Sequence, residues 1–253
     1  MPQGLSSLRN TRPMLIKTSG IVFKTKKYGE SSLIVDIYTE EKGLRSYIIG
    51  GVRKARPTVG ASLLQVLSLV DIVAYHREDR TLTRLKEVRP FHTYQSVPYD
   101  IRKSAVGMFI VEVARKVIRG HEAQPELFSF LRNTLLLLDE SDQFTNLHLH
   151  FMVGLSAYLG FWPGEHFDES HQYFDLQAGT FCPVEPPHAY HLQPEEAEIL
   201  QALLNTAAEE AGNIPMTLSL RRKMLNHLIT YYRLHIEDFP AIHSHQILEE
   251  VLG

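Results

Sequence analysis

Short runs in which apolar and polar residues alternate fill the first third of the chain. β-Branched and aromatic residues are frequent in these runs, which span residues 15–23, 32–38, 44–49, 67–75 and 81–88. Such runs, separated by polar turns, are typical of β-strands. Gly43 ends one of the turns and can take the positive φ of a tight hairpin. Five short strands without a long helix predict a small closed barrel of the OB type, and an SH3-like barrel is the alternative.

Beyond Pro98 the apolar residues recur at helical spacing instead. Val106, Phe109, Ile110 and Val113 follow the i, i+3, i+4, i+7 pattern of one helix face. Similar stripes fall within residues 128–138, 147–158 and 220–235. A proline followed by two acids at residues 194–196 is typical of a helix start.

These patterns together predict an α+β chain with two domains. A five-stranded OB-type β-barrel is expected in residues 14–92, followed by an all-α helical domain in residues 93–253. The helical domain is expected to contain an irregular insert at about 161–192, which is rich in proline and histidine. Residues 1–13 are polar and aperiodic and are expected to form a disordered extension.

The charge of the chain is divided in the same way. Residues 1–90 carry sixteen Lys or Arg against eight Asp or Glu, whereas residues 91–253 carry ten against twenty-one. The formal net charge of −3 hides this reversal of sign. A basic barrel favours a partner that carries phosphate groups.

The strongest local signal is a glycine pair followed by cations. Gly50 and Gly51 allow the backbone to approach a partner closely, and three cations follow within five positions. Loops at the rim of a small barrel frame the surface that follows a nucleic-acid backbone. We therefore predict a DNA-binding surface formed by Lys24, Lys26, Lys27, Arg45, Arg53, Lys54 and Arg56.

Aromatic residues of the barrel are candidates for stacking on bases. They are Phe23, Tyr28, Tyr38 and Tyr47. For Phe23 and Tyr47 the alternative is a place in the barrel core.

Signatures of catalysis and of metal binding are weak. The chain contains no P-loop, dinucleotide-binding, zinc-protease or nucleophile-elbow motif, so no catalytic residue is assigned. Four histidines and Cys182 occur within residues 166–191, but their spacing lacks the paired ligands of a structural zinc site. We expect no metal and no cofactor. A single cysteine excludes an intramolecular disulfide, and no apolar run is long enough to span a membrane, so a cytoplasmic protein is expected.

Several segments resemble one family in order along the chain. They are residues 18–22 (TSGIV), 28–34 (YGESSLI), 38–43 (YTEEKG), 50–54 (GGVRK), 158–163 (YLGFWP), 231–235 (YYRLH) and 242–248 (IHSHQIL). These segments are similar to those of the RecO family of bacterial recombination mediators, and the resemblance covers nearly the whole chain from Met14.

The resemblance implies a fold and a set of partners. It implies an N-terminal OB fold and a C-terminal helical domain that together bind single- and double-stranded DNA and anneal complementary strands. It also implies two direct protein partners, RecR and the acidic C-terminal tail of single-stranded DNA-binding protein, with which such proteins load RecA onto DNA. Members of the family are not enzymes.

The chain departs from the family pattern at two places. Many members carry a four-cysteine zinc site, whereas here Cys182 stands at its third position and Glu185 at its fourth. The helix that would bind the acidic tail carries His148 and His150 where the family has basic residues. We therefore predict that the tail binds near Arg115, Arg119, Arg132 and Leu159.

Two other functions remain open at this point. The protein could be an interaction adaptor whose basic barrel binds an acidic protein segment and no DNA. The histidine-rich segment could instead form a metal-dependent hydrolase site.

Overall fold

The structure, a computed structural model, describes residues 14–51, 60–76, 81–164 and 170–252. The expected disordered extension at residues 1–13 lies outside this range. The first part of the chain forms five strands, which are β1 (Met14–Tyr28), β2 (Ser32–Thr39), β3 (Gly43–Ile49), β4 (Leu69–His76) and β5 (Leu82–Pro90).

The five strands close into a barrel in the order β1-β2-β3-β5-β4. β3 and β5 pair in parallel, and the other neighbours pair antiparallel. This closure confirms the OB-type barrel. The barrel interior is filled by fully buried side chains that include Val22, Val35, Ile37, Tyr47 and Val70.

β1 is longer than the sequence predicts. It pairs with β4 from Met14 to Ile21 and with β2 from Gly20 to Tyr28, and the register shifts between Val22 and Lys24. The predicted run ended at Phe23 because the following residues include three lysines. These residues stay in the strand because β2 continues to pair with them.

The second part of the chain is mainly helical. Its helices are α1 (Ile101–Val117), α2 (Pro125–Glu140), α3 (Leu147–Leu159), α4 (Pro194–Asn205), α5 (Leu218–His235) and α6 (Ser244–Val251). The predicted helices are confirmed, and their stripes are buried, as at Phe109, Leu135 and Phe151. α3 ends at Gly160, whose φ of 86° is left-handed, and α4 begins with a capping box between Gln193 and Glu196.

The expected all-α domain with an irregular insert is wrong in one respect. The insert contains a three-stranded sheet in the order β7-β6-β8, formed by β6 (Tyr173–Asp175), β7 (Thr180–Cys182) and β8 (His191–Leu192). Phe174 of β6 and Phe181 of β7 are paired neighbours, and their buried rings pack with centroids 4.9 Å apart. Strands of two or three residues are too short to show an alternating pattern, so the sequence did not predict them.

The chain divides into two compact units. One unit extends to Thr93 and also takes in Gly120–Pro125, the connection between α1 and α2. The other unit contains Tyr94–Arg119 and the chain from Glu126 onward. Within the described residues, no helix combines the length and apolar character that crossing a membrane requires.

A buried carboxylate holds the first residues of the helical unit. Asp139, near the end of α2, accepts hydrogen bonds from the backbone N–H groups of Gln95, Ser96 and Val97 at 2.8–3.0 Å. The ammonium group of Lys103 donates to the Ser96 hydroxyl at 2.8 Å and to the Asp139 carbonyl at 3.0 Å. Both charged side chains are about 5% exposed or less. The network fixes the segment that precedes α1.

We predict that Asp139→Ala destabilises the helical unit strongly. The change leaves three backbone N–H groups, one of them fully buried, without their carboxylate acceptor, which typically costs about 1–3 kcal/mol for each buried group. Urea unfolding measures the free-energy difference. Asp142→Ala, an exposed acid close by, is the control and is expected to change stability by less than about 0.5 kcal/mol. Similar small losses in both variants would contradict the structural role of Asp139.

Candidate nucleic-acid interface

The predicted lysines lie on the second half of β1. Lys24 and Lys26 are exposed and face outward. They pair with Asp36 and Ile34 of β2, which are half-buried and alternate with buried residues of that strand. Lys27 lies on the opposite face of the strand and is nevertheless exposed. β1 no longer pairs with β4 at these positions, since that pairing ends at Ile21. The lysines therefore reach solvent on both sides of the strand.

The register extends this surface across three more strands. Lys26 pairs with Ile34, Ile34 with Ile48, and Ile48 with Arg84 on β5. Neighbouring strands lie about 4.8 Å apart, so this row spans about 14 Å. It places a cation at each end of a half-buried apolar strip. The next row contains Asp36, which pairs with Lys24 and accepts a hydrogen bond from the Ser46 hydroxyl at 2.5 Å.

The glycine pair leaves the barrel at the same end as the lysines. Leu33 pairs with both Lys27 and Ile49, so Ile49 lies two strands, or about 10 Å, from Lys27. Gly50 follows directly, beside Ser32, and Gly51 has a φ of 77°. Arg53, Lys54 and Arg56 lie outside the described residues, but the chain that leads to them starts beside the exposed lysines.

Three of the four expected stacking aromatics are buried, and Tyr47 is part of the barrel core, as the alternative for it proposed. Phe23, Tyr38 and Tyr47 are at most 2% exposed, and the rings of Phe23 and Tyr38 stack with their centroids 5.5 Å apart. Burial raises the pKa of both Tyr38 and Tyr47 to about 12. Tyr28 is 55% exposed and is the member of the set that can reach a base.

Arg45 lies apart from the exposed lysines in the sheet register. It lies on β3, three residues before Ile48 and thus about 10 Å from the row of Lys26. Its guanidinium donates to the carbonyl oxygens of Lys42 and His121, each at 3.1 Å. Arg45 therefore fastens the α1–α2 connection to the hairpin between β2 and β3. No local pattern of residues predicts this contact, because His121 is 76 residues away.

Gly43 is required at the same contact. Its φ of 61° is left-handed, and a Cβ at this position would collide with the backbone of Glu122. The imidazole Nδ1 of His121 lies 2.7 Å from the carbonyl oxygen of Leu44. This end of the barrel is thus occupied by the chain itself.

Another face of the barrel is acidic. A groove of about 420 Å³ is lined by polar and charged residues that include Glu40, Glu41, Asp71 and Glu87. Lys17 and Arg89 are the cations of this lining. An excess of carboxylates repels phosphate, so the favourable path for a nucleic acid on the barrel is the lysine-bearing end.

The predicted tail-binding residues lie on or beside three helices. Arg115 is on α1, and Arg119 follows two residues after α1 ends and donates to the carbonyl oxygen of Glu237 at 3.0 Å. Arg132, on α2, lies over the ring of Phe128 at 5.7 Å. Leu159 is the last residue of α3 and is half-buried. This pocket stays a prediction.

The histidine-rich insert forms pairs between histidine and carboxylate. His188 lies 3.2 Å from Asp175, and His191 lies 3.0 Å from Glu185. Burial, and then the nearby Asp175, raise the pKa of the Cys182 thiol. In the part of the chain that the structure describes, no group of three His, Cys, Asp or Glu side chains is placed to hold a metal ion, and His166 lies outside it.

Sequence comparisons agree with the two-part architecture. Residues 14–94 match the family model described as Recombination protein O N terminal, and residues 98–243 match Recombination protein O C terminal. DNA repair protein RecO of Bacteroides fragilis is 37% identical over 242 residues, which cover 94% of this chain and 99% of that protein. The proteins of the same name from Phocaeicola vulgatus and Christiangramia forsetii are 35% and 36% identical, each over 95% of this chain and 100% of their own length.

We predict that Arg45→Ala acts on stability and not on nucleic-acid binding. Loss of its bonds to two carbonyl oxygens is expected to lower the free energy of unfolding by about 1–2 kcal/mol. The slope of log affinity against log salt for a single-stranded oligonucleotide should stay unchanged. Arg84→Ala is the matched variant, with little effect on stability and a slope flatter by about 0.7 if Arg84 contacts a phosphate. A stable Arg45→Ala protein with a flattened slope would return Arg45 to the interface.

Proposed function

The chain belongs to the RecO family of DNA repair proteins, and from that membership we propose that it is a recombination mediator. In this proposal it binds single- and double-stranded DNA, anneals complementary strands and, with RecR, helps to load RecA. The substrate for loading is DNA coated with single-stranded DNA-binding protein, whose acidic tail is a further partner. The protein performs this role in the cytoplasm and without catalysis, because binding and strand pairing involve no covalent step.

The observation that carries the proposal is the convergence of cations at one end of the barrel. Lys24, Lys26 and Lys27 are exposed there, and the Gly50-Gly51 pair that precedes the next cations starts beside them. Contacts of lysine and arginine with phosphates release counterions, which supplies affinity without regard to sequence. A protein that must act on any DNA needs this kind of binding.

The same arrangement suits strand annealing. Neutralising the phosphates of one strand lowers its repulsion of a second strand. Since three of the four candidate aromatics are buried, base contacts from this set are limited to Tyr28. Contacts made mainly to the backbone leave the edges of the bases free to pair.

The alternative function is an adaptor that uses the barrel to bind an acidic protein segment. The half-buried Ile34 and Ile48 lie between Lys26 and Arg84 and offer apolar contacts to such a segment. Both functions use the same cations. They differ in whether an oligonucleotide binds and in how its affinity depends on salt.

We predict that removing the three lysines weakens DNA binding uniformly across sequences. With Lys24, Lys26 and Lys27 changed together to Ala, the slope of log affinity against log salt should flatten by about 2 for single strands, or about 0.7 for each contact. The same change at Arg53, Lys54 and Arg56 is expected to have a similar effect. Titrations of a mixed-sequence oligonucleotide at several salt concentrations measure the slope.

The matched control for this experiment lies on the acidic face of the barrel. Lys17→Ala combined with Arg89→Ala removes two cations from the groove with the carboxylates and should leave the slope unchanged. If the lysine variant is folded and keeps the wild-type slope and affinity, the lysines are solvated charges and the adaptor function is favoured.

We also predict that the acidic tail and the DNA use separable surfaces. Arg132→Glu should weaken binding of an acidic tail peptide by about tenfold, or about 1.4 kcal/mol, while oligonucleotide affinity changes little. Arg102→Glu, an exposed change of the same charge on α1, serves as the control. Equal losses of peptide and oligonucleotide binding in folded Arg132→Glu would contradict two separable surfaces.

A further inference from the structure

Helix α5 is the basic element of the acidic part of the chain. Its sequence, LSLRRKMLNHLITYYRLH, contains Arg221, Arg222, Lys223 and Arg233 and no Asp or Glu. Residues 91–253 as a whole carry ten Lys or Arg against twenty-one Asp or Glu. The concentration of cations on one helix is unusual in this setting, and neither the barrel surface nor the predicted tail pocket uses it.

The first half of α5 lines an open groove of about 710 Å³. The lining residues are Thr217, Leu218, Ser219, Arg222, Lys223, Asn226 and His227. Guanidinium, ammonium, hydroxyl and amide groups are the donors that contact phosphate oxygens in protein–DNA complexes. The groove also contains the N-terminus of an 18-residue helix, where the helix dipole favours an anion.

Two carboxylates of the chain already lie against these donors. The amide of Asn226 donates to the Glu249 carboxylate of α6 at 3.2 Å, and Arg222 donates to the Glu249 carbonyl oxygen at 2.5 Å. Lys223 forms an ion pair with Glu196 at 2.9 Å. Glu196 is buried and belongs to the capping box of α4, whereas Glu249 lies on the short terminal helix α6.

A small cavity beside the groove is lined by a histidine that has an unsatisfied ring nitrogen. It shares Leu218 and Arg222 with the groove and is also lined by His148 and Arg221. His148 is 1% exposed, and its Nδ1 has no hydrogen-bond partner among the described residues. Burial, and then Arg221, lower the pKa of His148 to about 3, so this imidazole stays neutral. The positive charge that faces an anion is therefore that of the α5 side chains.

We propose that the groove along the first half of α5 is a second contact site for the phosphate backbone of a nucleic-acid strand, with Glu249 as an internal competitor. The inference rests on the proposed function, because strand annealing requires two strands and this groove would bind the second one. The polar donor set favours a nucleic acid over an acidic peptide. A peptide partner is one outcome of the test.

The test counts short oligonucleotides bound to the full-length protein. A mixed-sequence strand of about 12 nucleotides, within the range that one OB fold covers, is titrated while stoichiometry and annealing rate are followed. Wild type should bind two strands per chain. Arg222→Glu should bind one, at the barrel, and should anneal complementary strands roughly tenfold more slowly as phosphate contacts are lost. Arg233→Glu makes the same charge change on the same helix outside the groove lining and should behave as wild type.

A second variant changes binding in the opposite direction. Glu249→Gln removes the competing carboxylate and should strengthen the weaker of the two binding events. This variant keeps Arg222 in place, so it tests the site even if Arg222→Glu disturbs α6. Unchanged stoichiometry and annealing in both variants would overturn the inference. Displacement of the second strand by polyglutamate at matched charge would overturn it in favour of an acidic protein partner. Loss of all binding in the triple lysine variant, with normal Arg222→Glu, would reject this site and leave the proposed function intact.

Discussion

Closure of the barrel depends on one strand, β1, which pairs with β4 along its first half and with β2 along its second. A strand of 15 residues is longer than either pairing alone requires. Because the β4 pairing ends at Ile21, the last residues of β1 extend along β2 alone. The exposed lysines of the barrel are a consequence of that extension.

The remaining charges are arranged around this geometry. Carboxylates from the β2–β3 hairpin, β4 and β5 line the groove on the acidic face, where phosphate would be repelled. The hairpin end is closed by Gly43 and Arg45, which hold the α1–α2 connection. The proposed nucleic-acid site is therefore the end of the barrel at which β1 projects and the chain leaves β3. In the helical unit, α5 provides the corresponding basic surface.

The sequence was sufficient for the elements that have a strong period. Alternation identified the five strands, and the spacing of residues such as Phe109 and Leu135 identified the helices. The sequence was not sufficient where a structure depends on a contact between residues far apart in the chain, or where an element is very short. The second half of β1 was not predicted because its three lysines interrupt the apolar pattern. The strands of the insert are too short to show a period, and the role of Arg45 depends on its contact with His121. Arg84 was missed because the parallel pairing of β3 and β5 follows from closure of the barrel and not from local sequence.

The central claim is that DNA lies at the projecting end of β1, and hydrogen–deuterium exchange tests it most directly. Exchange is compared with and without a single-stranded oligonucleotide at low salt, in full-length protein. The account predicts slower exchange in residues 24–34 and 48–51, together with unchanged exchange at Glu40, Glu41 and Asp71 on the acidic face. Protection confined to the acidic face or to the α1–α2 connection, with the β1 end unaffected, would contradict it.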